Sequence, residues 1–240
     1  MIVDSSALPE QVTRDVISSA FQSAGQRCSA LRVLFVQEDV ADGMIKMIAG
    51  AMEALKVGNP GVLATDVGPV IDEPAKKLLD DHLEWLDKNA RKICRLDPPK
   101  EARNGCFVPP ACYEIKSVSQ LDRENFGAIL HVIRYAGDRL DEVVEAINTT
   151  GYGLTLGLQS RIDTVRDYVE KHARVGNLYV NRNQIGAVVE SQPFGGEGLS
   201  GTGPKAGGPH YVARFATERV TCIDTTAAGG NASLMAALEG

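Results

Sequence analysis

Short apolar runs alternate with longer amphipathic segments along most of this chain, and this alternation constrains the fold more than any other feature. Four apolar runs have the length of buried strands and lie at residues 31–37, 128–135, 153–159 and 177–181. Helical periodicity occurs at residues 8–24, 40–55, 73–89, 138–148 and 161–174. Shorter strands are predicted near residues 91–96 and 112–117. Because strands separated by helices indicate βαβ units, we predict an α/β fold with a mostly parallel open sheet flanked by helices.

Length and charge restrict the classes of function. The 240 residues can bury a full core, and the net charge of -6 offers no basic surface to nucleic acid or to an anionic membrane. No apolar run approaches the roughly 20 residues that a membrane-spanning helix needs. The N-terminus lacks the basic region and the long apolar stretch of a secretory signal. We therefore expect no nucleic-acid partner, no integral membrane segment and a cytoplasmic location.

The cysteines and histidines indicate neither a disulfide framework nor a metal site. The chain has five cysteines and four histidines, and they are scattered along it. No two cysteines form a CxxC pair, and no histidines fall at the spacing of metal ligands. We therefore expect reduced thiols and no bound metal.

Cys28 lies at the joint between the first helix and the strand predicted at residues 31–37. Arg27 beside it favours the thiolate, which is the nucleophilic form of cysteine. Gly25 permits a sharp turn and a close approach of backbone or ligand, and Ser29 adds a hydroxyl group. A polar turn at the end of a parallel strand is where open α/β sheets bind ligands. The alternative interpretation is that Cys28 is a small buried apolar residue.

Six motifs between residues 21 and 201 resemble, in order, motifs of the aldehyde dehydrogenase superfamily. They are F-x-x-x-G-Q-x-C at residues 21–28, VGNPGVLATDVGPVI at 57–71, ENFG at 124–127, INTTGYGLTLGL at 147–158, NLYVN at 177–181, and PFGG with the later Ser-Gly at 193–201. Each motif alone is a weak signal, but six in order are a strong one. The resemblance implies that Cys28 attacks an aldehyde to form a thiohemiacetal and then a thioester, with NAD as the cofactor.

The motif at residues 124–127 resembles the cofactor motif of the same family. The resemblance implies that Glu124 binds the ribose hydroxyls of the nicotinamide half of NAD and that Phe126 packs beside that ribose. The family has a proline after this motif where this chain has Ala128, and we expect the loop to be slightly looser for that reason. The alternative interpretation is that Glu124 is a solvent-facing acid and that Phe126 is a core aromatic residue.

A glycine-rich segment, GTGPKAGGPHYVARF, follows the last of these motifs. It resembles the loop that anchors the substrate in Δ1-pyrroline-5-carboxylate dehydrogenases, which oxidise L-glutamate γ-semialdehyde to L-glutamate in proline catabolism. Consecutive glycines can offer backbone N–H groups to a carboxylate without obstruction by a side chain. The alternative interpretation is that this glycine-rich segment is a flexible surface connection. The resemblance assigns substrate binding to Ser29, Phe194, Gly207, Gly208 and Phe215.

The resemblance also implies a domain organisation. Residues 1–215 correspond to an aldehyde dehydrogenase catalytic domain, and residues 216–240 to an oligomerisation strand, at 219–223, with a tail of small residues. The chain has no counterpart of the NAD-binding domain, of the oxyanion-hole asparagine or of the motif that carries the general base. We therefore expect a missing NAD-binding half in a longer parent protein and an inactive isolated chain. An unpaired strand edge favours association, so we expect a homo-oligomer.

Two other interpretations remain open from the sequence. The chain is either a folded or oligomerising module without chemistry of its own, or part of a dehydrogenase for another carboxyl-bearing semialdehyde. The segment at residues 205–211, KAGGPHY, argues against the second of these.

Overall fold

The computed structural model describes residues 1–224 and 232–238, and these contain the predicted alternation of helices and strands. The strands are β1 (Ile2–Val3), β2 (Val33–Gln37), β3 (Arg91–Arg95), β4 (Ala111–Glu114), β5 (Ile129–Tyr135), β6 (Tyr152–Gly153), β7 (Thr155–Gln159), β8 (Asn177–Val180) and β9 (Glu197–Gly198). The helices are α1 (Pro9–Phe21), α2 (Glu38–Glu53), α3 (Glu73–Asn89), α4 (Leu140–Thr149), α5 (Asp163–His172) and α6 (Ala232–Leu238).

Seven of the strands form one open sheet in the order β3-β4-β5-β2-β1-β7-β8. All neighbouring strands in this sheet are parallel except β3, which is antiparallel to β4. The short strand β1 lies between β2 and β7, where Ile2 is opposite Phe35 on one side and Leu158 on the other. The remaining strands, β6 and β9, form a small antiparallel ribbon. The predicted α/β fold with a mostly parallel sheet is confirmed.

The helices form where the sequence supplies both an apolar face and a suitable start. Pro9 occupies the first turn of α1. Backbone N–H groups there have no acceptor within the helix, so the absence of one in proline costs no hydrogen bond. Helix α3 begins after Asp72, whose side chain accepts a hydrogen bond of 2.8 Å from the Ala75 N–H. Its buried residues, Leu79, Leu83 and Leu86, are spaced as one face of a helix and join the main core.

Three parts of the chain differ from the sequence-based expectation. The first helix ends at Phe21 rather than at residue 24, because a 3₁₀ turn, Gln22–Gly25, follows it. Strand β1 was not predicted, since two residues are too short for a periodic signal. Residues 219–223, predicted as a strand, belong to no strand in this single copy, and Val220 and Ile223 are exposed. Of the small-residue tail, residues 225–231 and 239–240 lie outside the described part of the chain. No helix within the described ranges is long and apolar enough to cross a membrane.

Candidate active site

Cys28 lies in the turn that joins α1 to β2, and three consecutive residues ahead of it have left-handed backbone geometry. The φ angle is 57° at Ser23, 54° at Ala24 and 66° at Gly25. This region is easy for glycine but costs other residues about 1–2 kcal/mol each. The turn redirects the chain after α1 and leaves Cys28 exposed with a free thiol.

The turn packs directly against the segment that carries Glu124 and Phe126. A Cβ atom at Gly25 would lie 2.2 Å from the carbonyl oxygen of Gly127. The two backbones therefore touch without an intervening side chain, which only glycine at position 25 permits.

A cavity of about 850 Å³ opens beside Cys28. Its wall includes residues that lie within a few positions ahead of four parallel strands, namely Cys28 before β2, Glu124 before β5, Leu154 before β7 and Val175 before β8. The expectation that the thiol follows the rule for ligands in open α/β sheets needs a correction here. That rule concerns the carboxyl ends of strands, whereas this cavity lies at the amino-terminal ends of β2, β5, β7 and β8.

Arg32 connects the cysteine turn to the segment at Glu124. Its Nε and Nη2 atoms each lie 3.2 Å from Oε1 of Glu124, and its Cζ lies 4.7 Å from the centroid of the Phe126 ring. The side chain of Glu124 is 35% exposed, and Phe126 is 42% exposed. Burial lowers the pKa of Arg32, while the neighbouring Glu124 carboxylate opposes that shift. Cys28, Arg32 and Glu124 all line the same cavity.

Ser29 is adjacent to Cys28 but is buried, with 5% of its surface exposed, and it is not among the residues lining the cavity. Its carbonyl oxygen accepts a hydrogen bond of 3.2 Å from Nε2 of Gln184. The Oε1 atom of that glutamine is buried and has no hydrogen-bond partner among the described residues. Gln184 therefore supports the backbone beside the thiol and also lines the cavity.

The residues predicted to anchor the substrate lie in the loop that follows β8. Phe194 and Ala206 pair as an antiparallel bridge, with N–H to oxygen hydrogen bonds of 3.0 and 2.9 Å. Gly207 has a φ of 72°, and the N–H of Gly208 donates to the Lys205 carbonyl at 3.0 Å. Gly208 therefore already uses its N–H within the loop.

This structure does not bring the anchor residues to the wall of the Cys28 cavity. Phe194, Gly207, Gly208 and Phe215 are all absent from that lining. Phe215 is 77% exposed, and its ring centroid lies 5.5 Å from that of Tyr211. The site as described thus has two separate parts, the cavity with the thiol and the glycine-rich loop.

The other cysteines differ from Cys28 in their surroundings. Burial raises the pKa of Cys94 and of Cys112, and a hydrogen bond to Glu73 raises the pKa of Cys106. A raised pKa favours the thiol, which is the less reactive form. Cys222 is exposed, like Cys28, but it does not line the cavity. No group of three or more histidine, cysteine or acidic side chains could hold a metal ion in the described ranges.

Two residues of this region were missed by sequence analysis. Arg32 stands at the start of an apolar run, where a charged residue usually marks a solvated strand end. Gln184 lies in a loop without any motif recognised in the sequence. A charged residue directly ahead of a buried strand and close to a candidate nucleophile is the signal that would have pointed to Arg32.

The fold and the cavity define the chain as an open α/β domain with an accessible thiol beside a ligand-sized cavity. A model of the family described as "Aldehyde dehydrogenase family" matches residues 1–221. The chain belongs to the aldehyde dehydrogenase family, as the ordered motifs predicted.

Individual relatives narrow this relationship. The chain is 55% identical over 224 residues to the "Bifunctional protein PutA" of Klebsiella aerogenes, covering 91% of this chain and 17% of that protein. A crystal structure of bifunctional proline utilization A (PutA) superposes with a TM-score of 0.89 at 58% identity, over 95% of this chain and 23% of the other. A 1-pyrroline-5-carboxylate dehydrogenase from Thermus with bound NAD gives a TM-score of 0.80 at 32% identity, over 89% and 41%. The resemblance to Δ1-pyrroline-5-carboxylate dehydrogenases that the sequence shows is confirmed, and it extends to PutA proteins.

The chain spans only a fraction of each of these relatives. It covers 17% of the Klebsiella aerogenes protein and 41% of the Thermus chain.

Proposed function

We propose that this chain is the nucleophile-bearing part of an NAD-dependent dehydrogenase that oxidises L-glutamate γ-semialdehyde to L-glutamate in proline catabolism. The observation that carries the proposal is the shared cavity of Cys28 and Glu124, which has room for a small substrate and part of a cofactor. The likeness to a Thermus 1-pyrroline-5-carboxylate dehydrogenase with bound NAD supports it.

In the proposed reaction, Cys28 supplies the nucleophile. Its sulfur forms a bond to the aldehyde carbon while the thiol proton leaves to a base, and the carbonyl oxygen becomes an oxyanion. The backbone N–H of Cys28 would stabilise that oxyanion by a hydrogen bond. When the oxyanion collapses and the carbon gives up its hydride to the cofactor, the adduct becomes a thioester; hydrolysis of that thioester by water releases the carboxylic acid and regenerates the thiol.

The residues near Cys28 fit the nicotinamide end of NAD. Glu124 presents a partly exposed carboxylate, and Oε2 takes part in no hydrogen bond among the described residues, so it can accept from ribose hydroxyls. Phe126 offers a half-exposed ring for packing against that ribose. NAD, when bound, accepts the hydride that the aldehyde carbon loses. Glu124 and Phe126 would hold it and orient it toward Cys28.

The substrate carboxylate is proposed to bind at the glycine-rich loop. Gly207 is a better candidate than Gly208 for binding this carboxylate, because the Gly207 N–H donates to no backbone carbonyl in the described chain. We retain Ser29, Phe194, Gly208 and Phe215 as proposed substrate-binding residues. Because Phe194, Gly208 and Phe215 do not line the cavity, the proposal requires that the loop moves or that other parts of the protein complete this part of the site.

The proposal includes groups from outside this chain. We propose that residues 1–215 form the catalytic domain and that residues 216–240 serve in oligomerisation, which the exposed Val220 and Ile223 support. The general base, the oxyanion-hole asparagine and most of the NAD site would come from the missing NAD-binding half, so the isolated chain would be inactive. A homo-oligomer in the cytoplasm is consistent with cysteines that are all free.

The test uses a hybrid in which this chain replaces the matching segment of the Klebsiella aerogenes PutA protein. Cys28→Ala should abolish NADH formation from glutamate γ-semialdehyde, because Cys28 is the only cysteine among the residues that line the described cavity. Cys222→Ala is the matched control, since Cys222 is also an exposed free thiol, and it should retain full activity. If the Cys28→Ala hybrid keeps more than a few per cent of turnover, the proposed function is wrong.

A further inference from the structure

Arg32 lies at the junction between the cysteine turn and the segment that carries Glu124. Its Nη1 atom donates to the Gly25 carbonyl at 2.5 Å and to the Gly127 carbonyl at 3.2 Å. Its Nη2 atom donates to the Arg27 carbonyl at 3.1 Å. One guanidinium group thus bonds the backbone on both sides of the contact between Gly25 and Gly127.

The same guanidinium group also holds one particular oxygen of Glu124. Nε and Nη2 both donate to Oε1, and within the described residues no hydrogen bond uses Oε2. Because a guanidinium group is planar and rigid, this pair restricts the rotation of the carboxylate. The Phe126 ring covers the guanidinium plane, with its centroid 4.7 Å from Cζ.

The backbone of Arg32 is held by the neighbouring strand β5. Its carbonyl oxygen accepts the backbone N–H of His131 at 2.9 Å and lies 2.8 Å from Nδ1 of the same residue. Its side chain is only 14% exposed, so the hydrogen bonds replace most of its hydration. Backbone and side chain are therefore both held.

We propose that Arg32 is a positioning residue for the cofactor: it occupies Oε1 of Glu124 so that Oε2 faces the ribose hydroxyls, and it locks this carboxylate to the Cys28 turn. The inference rests on the proposed function and adds to it a residue that acts through Glu124. A lysine at this position would keep the charge but lose the fork that bonds Glu124 and three carbonyls at once.

The experiment measures the dissociation constant of NAD by titration calorimetry with the hybrid PutA protein, in the absence of aldehyde. Arg32→Met should weaken NAD binding by at least about tenfold, because the Glu124 carboxylate becomes free to rotate and the loop loses its ties. Arg32→Lys, which is less disruptive to folding, should recover only part of that loss. The loss of NAD affinity should exceed any change in the KM for glutamate γ-semialdehyde in either variant, since the paired hydrogen bonds to Glu124 act on the carboxylate proposed to bind NAD.

Arg182→Met is the matched control. Arg182 also bonds backbone carbonyls and lies 4.8 Å from the ring of Tyr179, but it does not line the Cys28 cavity. Its loss should leave the NAD dissociation constant unchanged.

A double-mutant cycle separates positioning from general stabilisation. If Arg32 acts through Glu124, then Arg32→Met added to Glu124→Gln should weaken NAD binding little beyond Glu124→Gln alone. Unchanged NAD binding in Arg32→Met or Arg32→Lys, or fully additive losses in the cycle, would overturn the inference while leaving the proposed function intact. A wild-type hybrid that binds no NAD would overturn both.

Discussion

The backbone of Gly25 touches the carbonyl oxygen of Gly127, so closely that a Cβ atom on Gly25 would lie 2.2 Å from it. This contact joins the turn of the proposed nucleophile to the segment of the proposed cofactor ligands. No side chain lies between the two backbones that could adjust if one of them moved. The relative position of Cys28 and Glu124 therefore depends directly on a residue that carries no functional group.

Gly25→Ala should lower the free energy of unfolding more than Gly186→Ala does. Both glycines have a positive φ, 66° and 76°, but a Cβ at Gly186 would meet nothing within 4 Å. Gly186→Ala should therefore show only the left-handed penalty of about 1–2 kcal/mol. Gly25→Ala should lose an additional 1–3 kcal/mol or so, because the backbone at Gly127 has to shift. Urea unfolding of the two variants measures the difference, and equal losses would contradict the close contact.

Gly207→Val should impair use of the proposed substrate selectively. The side chain would cover the Gly207 N–H, and losing a hydrogen bond to a carboxylate should reduce kcat/KM for glutamate γ-semialdehyde by at least about tenfold. Activity of the hybrid toward a short aldehyde without a carboxylate should fall much less. Gly203→Val is the control, because Gly203 lies in the same loop and a Cβ there would meet nothing within 4 Å. Parallel losses for both aldehydes would show that Gly207 serves the loop fold and not the carboxylate.

Stability should decrease with acid because of His131. Its Nδ1–H donates to the Arg32 carbonyl, its Nε2 lies 2.8 Å from Nε2 of His82, and burial lowers the pKa of His131 from 6.5 to about 4. Below pH 6.5 the unfolded chain therefore binds a proton that the folded chain does not. The free energy of unfolding should fall by about 3 kcal/mol between pH 6.5 and pH 4 from this residue.

The measurement is urea unfolding at pH 7 and at pH 4.5, with His131→Gln as the comparison. Other groups titrate in this range, but the variant removes the contribution of His131 together with its contact with His82. The variant should thus lose less stability on acidification than the wild type does. The same loss in both proteins would rule out His131 as the cause.

Glu190→Gly should stabilise the chain. Glu190 is exposed and has a φ of 69°, a conformation that glycine adopts without strain. Relief of about 1–2 kcal/mol is partly offset by the greater entropy of glycine in the unfolded chain, which leaves a gain of roughly 0.5–1 kcal/mol. Glu197→Gly serves as the opposite case, since Glu197 is exposed and does not have a positive φ, and it should be destabilising. A lower unfolding midpoint for Glu190→Gly would refute this account.

Periodicity predicted the sheet well because its strands are buried on both faces. The runs at residues 128–135 and 153–159 became β5 and β7 with small changes at their ends. By contrast, nothing in the local sequence indicates a positive φ at Ser23 or Ala24. Both residue types are compatible with an extension of helix α1. The contact with Gly127, distant in sequence, selects the left-handed turn instead.

Only the residues of the candidate site that belong to recognised motifs could be predicted from the sequence. Cys28 and Glu124 were recognised by the resemblance of their motifs to those of the aldehyde dehydrogenase superfamily, and the structure brings both to one cavity. Arg32 was not recognised, because its burial depends on partners such as Glu124, which is 92 residues away in the chain. The separation of the glycine-rich loop from the cavity could not be predicted either, since a resemblance transfers residue identities and not loop positions.

The place of β1 inside the sheet, between β2 and β7, has a consequence for the kinetics of folding. Residue 2 pairs with residue 158, so one side of β1 stays without its neighbour until β7 has been synthesised. The pairing of β1 with β2 and of β2 with β5 needs shorter loops and can form earlier. Because such distant contacts close slowly, attachment of β7 and β8 should limit the folding rate.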